Sequence, residues 1–226
     1  PSSETGEKKM RMLRRLPKIL KYIPGKAQDL RAWFLVMQYW LGGTDENIEE
    51  MLRFLISRYS HIDSWRGVKA EPPREYPNVG VYHPNLKGRI SEDLTDIPEV
   101  KKPIATIGLL LMRSYVLSGD TAHYDKVIEG FEALNVKIIP AFAGGLDGRP
   151  AIEKYFIGAD GPLIDVLVSL TGFSLVGGPA YNDTNAAVKT LSNLNVPYIS
   201  AHPLEFQTLP QWEVSSTGLG PIETTM

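Results

Sequence analysis

The segment AHPLEFQT, residues 201–208, holds an imidazole, a carboxylate and an amide within a few positions of one another. His202 and Glu205 follow an apolar run that is typical of a β-strand, so we expect both where that strand ends. Neutral imidazole and carboxylate can hold a divalent ion transiently or move protons near neutral pH. The segment therefore predicts acid–base or metal-ion chemistry, while Pro203 excludes the helical zinc motif.

A purely structural role for these side chains is the alternative. A histidine after a strand is more often a hydrogen-bonded loop residue than a ligand, and α/β loops carry Gly, Asp and Asn because turns need them. The glycine-rich segment GGLDG, residues 144–148, lacks the spacing of a dinucleotide-binding loop, and the sequence has no GxxxxGK[ST] phosphate loop. We therefore expect no nucleotide site in this chain.

Four apolar runs alternate with helical patterns in the second half of the sequence. Repeats of strand, helix and strand connect parallel strands through right-handed crossovers. We therefore predict an α/β fold: a parallel, flavodoxin- or Rossmann-like sheet with helices on both faces, preceded by a small α-helical layer. The predicted strands are Ile104–Met112, Val136–Gly144, Ile164–Phe173 and Val196–Ala201, and the predicted helices are Asp120–Leu134, Pro150–Phe156 and Asn182–Leu194.

The loops that leave these strands carry most of the candidate functional side chains. In an open parallel sheet, ligands bind beyond the carboxyl ends of the strands. Arg113, at the first exit, suits a ligand carboxylate or a salt bridge within the domain. The exits cover residues 112–120, 142–150, 171–183 and 202–208, and we expect all four to meet at one edge and line a cleft.

The first hundred residues are organised differently. Residues 27–41 predict a helix whose buried stripe runs from Leu30 to Trp40, and Thr44 is a typical N-cap for the next helix. Prolines punctuate residues 60–103, which we interpret as a surface linker with a short strand over 78–84; His83 within it is a weaker candidate for the same edge. The predicted domains are a helical segment over 1–59, the linker over 60–103, and an α/β domain over 104–226 that is truncated at its C-terminus.

Composition narrows the class of protein. With 226 residues, 43% hydrophobic and 22% charged, the chain has the balance of a water-soluble globular protein. A net charge of −2 gives no reason to expect nucleic acid, and no apolar run approaches the roughly 18 residues that span a bilayer. The lack of cysteine excludes disulfides and thiolate metal sites and agrees with a cytoplasmic location. We expect a piece of a longer protein, because the sequence starts without Met and stops without a closing element.

Several long segments resemble one protein family. They include LLLMRSYVLSGDTAHYDKVIEGFEALNVKIIPAFAGGLD, LTGFSLVGGPAYND and VPYISAHPLEFQTLPQW, and they agree in order over nearly the whole chain. With RMLRRLPKILKYIPGKAQDLRAWFLVMQYWLGG and EKYF, they are similar to the large H subunit of magnesium chelatases of the bacteriochlorophyll type, with kinship to the cobaltochelatase large subunit. The resemblance is least clear over residues 60–100.

This resemblance implies an activity and partners. The family's H subunits bind protoporphyrin IX and are where Mg²⁺ is inserted during (bacterio)chlorophyll biosynthesis, a metal–nitrogen ligase reaction. Partner subunits, an AAA+ ATPase and its companion, hydrolyse the ATP, which accounts for the missing phosphate loop in this chain. Because the family's subunits continue beyond residue 226, we expect the isolated piece to be inactive.

The implied reaction gives roles to the candidate residues. Two pyrrole N–H protons must leave as the metal enters, which requires a base near the macrocycle, and Mg²⁺ prefers carboxylate oxygen to imidazole. Glu205 serves either need, as a catalytic residue or a transient Mg²⁺ ligand, and His202 serves the first. The predicted substrate contacts are Arg113 for a propionate, Gly144 and Gly145 in a flexible turn, and the aromatic surface of Phe142, Phe173, Tyr181 and Phe206.

Two other functions stay open at this point. One is a non-catalytic α/β module that binds a different small molecule. The other is a scaffold whose basic helix, predicted over residues 10–23, docks an ATPase partner. Saturable tetrapyrrole binding distinguishes the predicted cleft from both.

Overall fold

The computed structural model describes residues 15–65, 67–178, 181–202, 204, 206–222 and 224. The chain divides into two compact units: one runs to Tyr76 and includes Leu117–Gly119, and the other comprises Pro77–Val116 and the chain from Asp120 onward. The division at Tyr76 falls inside the predicted linker. The domain boundaries at 1–59, 60–103 and 104–226 stay predictions.

The first unit is helical. Residues 15–20 are helical, and two longer helices follow, α1 over Ala27–Gly42 and α2 over Asp45–Tyr59. Gly43 ends α1 with a left-handed backbone (φ 65°), a conformation that glycine adopts without strain. Thr44 then caps α2, as predicted, because its hydroxyl accepts a hydrogen bond from the Asn47 N–H at 3.2 Å.

The buried side of α1 differs from the predicted stripe. Ala32 and Tyr39 are buried, whereas Leu30 and Trp40 are 50% and 62% exposed. Tyr39 packs against Phe54 of α2 with ring centroids 5.9 Å apart, and its hydroxyl donates to the Glu71 carbonyl. Burial raises the pKa of Tyr39 to about 12. The pattern of apolar residues was identified correctly, but the side of α1 that faces α2 was not.

The second unit is built on one sheet and its covering helices. Its strands are β1 (Val79–Tyr82), β2 (Ile90–Ser91), β3 (Thr106–Met112), β4 (Lys137–Ala143), β5 (Ile157–Gly158), β6 (Gly161–Pro162), β7 (Val166–Ser169), β8 (Gly177–Gly178), β9 (Tyr181–Asn182) and β10 (Tyr198–Ser200). Its helices are α4 (Ala122–Ala133), α5 (Arg149–Tyr155), α6 (Thr184–Leu194) and α7 (Leu209–Glu213), together with the start of α3 (Arg113–Ser118), whose last two residues are assigned to the first unit. Six strands form the sheet in the order β10-β7-β3-β4-β1-β2, while β5–β6 and β8–β9 are separate short hairpins.

The centre of this sheet is parallel and is covered on both faces, which confirms the predicted fold class. Strand β3 pairs in parallel with β4 and β7, and β7 pairs in parallel with β10. Leu110 of β3 packs on one face with Ile152 of α5 and Leu194 of α6. Leu109 packs on the other face with Ile128 of α4. Continuous apolar runs such as IATIGLLLM are what a strand buried on both faces requires.

Strand β1 changes the interpretation of the proline-rich stretch. The predicted short strand exists, but it joins the sheet rather than the surface: Val79 pairs antiparallel opposite Ala143, and Val81 and Tyr82 are fully buried. The chain runs away from the carboxyl ends of the parallel strands from Val79 onward. His83, which is fully buried and lies 3.0 Å from the Glu132 carboxylate, therefore does not reach the predicted cleft.

A buried tyrosine fastens β1 to α4. The Tyr82 hydroxyl donates to the Asp125 carboxylate, which also pairs with Arg89 at 2.5 Å. Burial first, and then this carboxylate, raise the pKa of Tyr82 to about 12. The folded protein therefore favours the neutral phenol over the phenolate.

Stability should fall above pH 10 because of Tyr82. The pKa of a tyrosine in the unfolded chain is about 10, so the stabilisation that accompanies the raised pKa of Tyr82 is complete below pH 10. This stabilisation is lost as the pH rises through 12, by up to about 3 kcal/mol. Tyr82→Phe should lower the unfolding free energy near pH 7 by about 1.5–3 kcal/mol, because Asp125 loses its donor, and should flatten the alkaline loss. Urea titrations between pH 7 and 12 measure both effects. Tyr22→Phe, at a position 82% exposed, is the control, and equal slopes in the two variants would contradict the prediction.

Candidate functional site

The exits of the four parallel strands meet at one edge of the sheet. Strands β3, β4, β7 and β10 are adjacent and point the same way, so the chain leaves all of them on the same side. Strand β3 has β4 on one side and β7 on the other, which makes the gap between the loops after β3 and β7 a topological switch point. The predicted convergence of the exit loops is therefore confirmed.

The loops after β4 and β7 are tied together by backbone pairing. Asp147 and Val176 form an isolated antiparallel bridge. On either side of it, the Gly148 N–H donates to the Leu175 carbonyl at 2.9 Å and the Gly177 N–H donates to the Leu146 carbonyl at 2.7 Å. These bonds make the two loops one supported layer rather than independent flexible turns.

An ion pair stiffens the same layer. The Arg149 guanidinium makes a bidentate ion pair with the Asp147 carboxylate: Nε donates to Oδ1 at 2.9 Å and Nη2 donates to Oδ2 at 2.6 Å. The hydrogen bond from Asp147 raises the pKa of Arg149 above its ordinary value. Sequence reasoning missed this pair, although a carboxylate two residues before an arginine at a helix start was a visible signal.

Gly148 sits where the two loops touch the sheet. A Cβ at this position would lie 2.7 Å from Leu110 Cδ2 and 3.2 Å from Leu175 Cδ1. Its φ of −77° is ordinary, so the reason for glycine here is space and not backbone conformation. The lack of a side chain at Gly148 lets the loop after β4 pack directly against Leu110 of β3.

Gly148→Ala should lower the unfolding free energy by about 1–3 kcal/mol, because the added methyl group must push Leu110 or Leu175 aside. Gly130→Ala is the matched control, since a Cβ at Gly130 meets nothing within 4 Å and the residue lies inside α4. That change should stabilise the protein by about 0.5–1 kcal/mol. Chemical denaturation of both variants checks the prediction, and effects of the same sign would contradict it.

A narrow slot lies at the switch point itself. Its walls include Met112 at the end of β3, Ala143 at the end of β4 and Thr171 after β7. The space accessible to water is about 20 Å³, which is close to the room that one water molecule needs. The slot as it stands therefore does not admit an organic ligand.

A larger groove opens beside the slot, between the loop after β7, helix α6 and strand β10. About 370 Å³ of it is accessible to water, which is within the usual range for small-molecule sites. Leu175, Leu191 and Tyr198 contribute apolar surface, and Asn182 and Ser200 contribute polar groups. We name this space the β10 groove; it is lined by Gly172, Phe173, Ser174, Leu175, Asn182, Thr184, Ala187, Leu191, Tyr198, Ser200 and His202.

Two of the predicted site residues lie together in this groove. His202 and Phe173, which are 29 positions apart in the sequence, both line it. Gly145 lines the neighbouring slot, where its φ of 78° requires the conformational freedom of glycine. Gly144 fastens the same turn by donating its N–H to the Asn78 carbonyl.

The other predicted residues are placed differently. Phe142 is fully buried on the α4 side of the sheet, so it offers no surface to a ligand; a residue at the end of a strand can face either side, and Phe142 faces the core. Arg113 begins α3 and donates from Nε to the Pro77 carbonyl at 2.8 Å. Phe206 is 62% exposed. Glu205 and the side chain of Tyr181 lie outside the described residues.

The amide of the AHPLEFQT segment has a structural role. Gln207 accepts a hydrogen bond from the Gly220 N–H at 2.8 Å and donates to the Gly218 carbonyl at 3.2 Å. Thr208 and Gln211 then form a reciprocal capping box that starts α7. The segment therefore serves two purposes, with His202 directed to the groove and Gln207 to the following turn.

Groove residues that sequence reasoning missed come mainly from α6 and β10. Asp183 caps α6 by accepting from the Ala186 N–H at 2.9 Å, which places Thr184 and Ala187 along the groove wall. Alternation along β10 places Tyr198 and Ser200 in the groove and Ile199 on the opposite side. Within the described residues, no cluster of three His, Cys, Asp or Glu side chains could hold a metal ion.

The fold is that of a doubly wound α/β protein, with a groove beyond the carboxyl ends of its parallel strands. A family model described as CobN/Magnesium Chelatase matches residues 37–226, and one described as Domain of unknown function (DUF3479) matches residues 1–34. The chain therefore belongs to the CobN/magnesium chelatase family. None of the described helices is both long and apolar enough to cross a membrane.

Individual relatives agree with this assignment. The chain is 62% identical to the magnesium-chelatase H subunit of Cereibacter sphaeroides over 98% of its length, and 61% identical to that of Rhodobacter capsulatus over 100%. It is 38% identical to the chloroplastic ChlH subunit of magnesium chelatase from Oryza sativa subsp. indica over 96%. It spans only 19% of the two bacterial relatives and 17% of the rice protein.

A solved structure shares the fold. The catalytic subunit of cobaltochelatase from Mycobacterium tuberculosis superposes with a TM-score of 0.57 and 20% sequence identity. The match covers 85% of this chain and 15% of that one. At this identity the likeness establishes a common fold.

Proposed function

We propose that the chain is part of the porphyrin-binding, catalytic subunit of a magnesium chelatase, which inserts Mg²⁺ into protoporphyrin IX for (bacterio)chlorophyll biosynthesis. The identity of about 60% to two named H subunits supports the reaction. The observation that carries the site is the β10 groove, where His202 and Phe173 from separate strand exits line one space.

The groove has the surface that an edge of a tetrapyrrole needs. Phe173 and Tyr198 supply aromatic surface for a flat macrocycle, and the half-buried Leu191 supplies aliphatic surface. Asn182 and Ser200 supply polar groups suited to the carboxylates at the macrocycle edge. In this proposal the groove holds one edge of the ring, and the rest of the pocket belongs to the longer polypeptide.

His202 acts as the base in the proposed reaction. Each pyrrole N–H proton must be taken up by a nearby group as the metal enters, and a neutral imidazole takes up a proton near pH 7. His202 lines the groove and has an exposed side chain, so it can pass the proton on to water. Glu205, three positions later, is proposed as the carboxylate that receives Mg²⁺ and helps it shed water.

The energy source and the location are part of the same proposal. ATP is hydrolysed by partner subunits, an AAA+ ATPase and its companion. No phosphate-loop sequence occurs in this chain, which agrees with a nucleotide site in a partner. We propose that the remaining edge of the cleft is lined by Arg113, Gly144, Gly145, Tyr181 and Phe206. We also propose that the protein works in the cytoplasm.

Titration with protoporphyrin IX tests the groove. Ser200→Trp should weaken porphyrin binding to the 226-residue chain by about tenfold or more, because the indole would fill the space beside Tyr198. Ile199→Trp is the matched control, since Ile199 lies on the same strand, faces away from the groove and is already 53% exposed. Porphyrin fluorescence and absorbance report the affinity.

The outcomes separate the proposal from its rivals. Saturable binding that Ser200→Trp weakens and Ile199→Trp does not would support the β10 groove. Equal effects of the two variants would exclude it as the tetrapyrrole site. No binding by either the chain or the longer subunit, together with binding to an ATPase subunit, would favour a docking scaffold instead.

A further inference from the structure

Helix α1 carries a second apolar face that nothing in the described structure covers. Leu30, Trp33 and Trp40 are 50%, 54% and 62% exposed, and Leu41 is 41% exposed. With the half-buried Met37 they recur every three or four positions, so they lie along one side of the helix. We name these five residues the α1 stripe.

The α1 stripe is additional to the face that already packs. Ala32 and Tyr39 bury the side of α1 that meets α2. The helix is therefore apolar on two sides, a pattern typical of a helix with neighbours on both. A short helical layer with water on one side needs only the first of these faces.

The residue types in the stripe indicate a protein surface as its neighbour. Single exposed apolar side chains are normal, whereas a contiguous apolar patch marks an interaction site. Tryptophan is the residue most enriched among those that dominate binding energy, and two of the four tryptophans of the chain lie in this stripe. The ring of Trp33 is held edge-on by Phe34 at 5.0 Å, which limits its conformations before any partner binds.

The position of the stripe in the chain indicates which protein surface that is. The match to the domain-of-unknown-function family ends at residue 34 and the match to the chelatase family begins at residue 37, so the two meet inside α1. The curated bacterial relatives are also much longer, since this chain spans 19% of their length. The boundary between the two family matches therefore lies inside α1, in a chain whose bacterial relatives are several times longer.

We infer that, in the full-length subunit, the α1 stripe is the docking face for the remainder of the domain whose family match ends at residue 34. A domain joined through the same helix is held at a high effective concentration, so modest apolar contact is enough to dock it. Trp33 and Trp40 would be the buried anchors of that contact. The inference does not depend on the ligand of the β10 groove.

Hydroxyl-radical footprinting with mass spectrometry tests the inference without any substitution. We expect the oxidation rates of Trp33 and Trp40 to be at least about fivefold lower in the full-length subunit than in the 226-residue chain, because the docked domain excludes water. A reporter peptide added to both samples provides the control for radical dose. Equal rates at the two tryptophans in both proteins would overturn the inference.

A pair of variants identifies the occupant. Trp33→Gln with Trp40→Gln should leave the melting temperature of the 226-residue chain within about 3 °C, while in the full-length subunit it should speed proteolysis near α1 about tenfold. Trp65→Gln, at a position 45% exposed outside the stripe, should change neither the melting temperature of the short chain nor the rate of proteolysis of the full-length subunit. Unfolding of the short chain by the double variant would mean that the chain itself covers the stripe. Concentration-dependent dimers that the double variant abolishes would mean that a second copy covers it, and either result overturns the inference.

Discussion

Replacing His202 with alanine in the full-length subunit should slow Mg²⁺ insertion into protoporphyrin IX by about 100-fold or more. The expectation follows from the proposal that His202, which lines the β10 groove, receives the pyrrole protons. Porphyrin affinity should change by less than about threefold, because a base acts on the transition state more than on the bound ground state. Steady-state and single-turnover insertion assays with the ATPase partners measure the rate, and fluorescence titration measures the affinity.

Chemical rescue distinguishes a proton acceptor from a structural histidine. Added imidazole should restore part of the insertion rate of His202→Gly, because a small base can enter the space left by the side chain. His61→Ala, at an exposed position in the other unit, is the control and should leave the rate unchanged. An unchanged rate in His202→Ala would remove His202 from the reaction. Weaker porphyrin affinity of His202→Ala with a normal rate of insertion would show that His202 contacts the substrate without accepting its protons.

Phe156→Ala should lower the unfolding free energy of the α/β unit by about 3–5 kcal/mol, a loss typical of a fully buried aromatic residue. Phe156 follows α5, is fully buried, and lies over the middle of β3. Gly108 of β3 makes room for it, since a Cβ there would be 3.2 Å from two atoms of the Phe156 ring. Removing the ring leaves a cavity against β3. The cavity cannot collapse readily, because pairing with β4 on one side and β7 on the other holds β3 in place.

The measurement must report on the unit that contains Phe156. The chain has two compact units, so a single unfolding curve does not have to describe both. Hydrogen exchange of the β3 amides, followed by mass spectrometry as urea is raised, gives the local stability. Phe206→Ala, at a position 62% exposed, should change it by less than about 0.5 kcal/mol. A Phe156→Ala loss as small as that of the control would contradict the packing described here.

The periodicity of the sequence located the main elements well. The predicted strand Val136–Gly144 is β4 over Lys137–Ala143, and the predicted helix Asp120–Leu134 is α4 over Ala122–Ala133. The later strands were predicted too long, since Ile164–Phe173 contains only β7, Val166–Ser169. Apolar residues continue into the loop after β7 because that loop packs Leu175 and Val176 into the core, which an apolar run alone does not reveal.

The candidate site was predictable in outline and not in detail. Alternating strands and helices imply parallel pairing, and parallel pairing places all exit loops at one edge, which is why His202 and Phe173 line one groove. The direction of each side chain was not available. Phe142 and Ala143 are neighbours at the end of one strand, yet Phe142 packs on the α4 face and Ala143 on the other, and a shift of one residue in register would exchange them.

Contacts between distant segments decided the remaining features. The proline-rich stretch resembled a linker because local propensity favours irregular structure there, but β1 gains more by pairing with β4 and burying Val81 and Tyr82. The apolar pattern of α1 showed that the helix must be covered without showing which side meets α2. The sequence by itself thus determined the elements, the fold class and the edge at which the exit loops meet, because these depend on local periodicity and chain direction. Only the tertiary structure decided which side chains share the β10 groove, because that depends on register and packing between residues far apart in the chain.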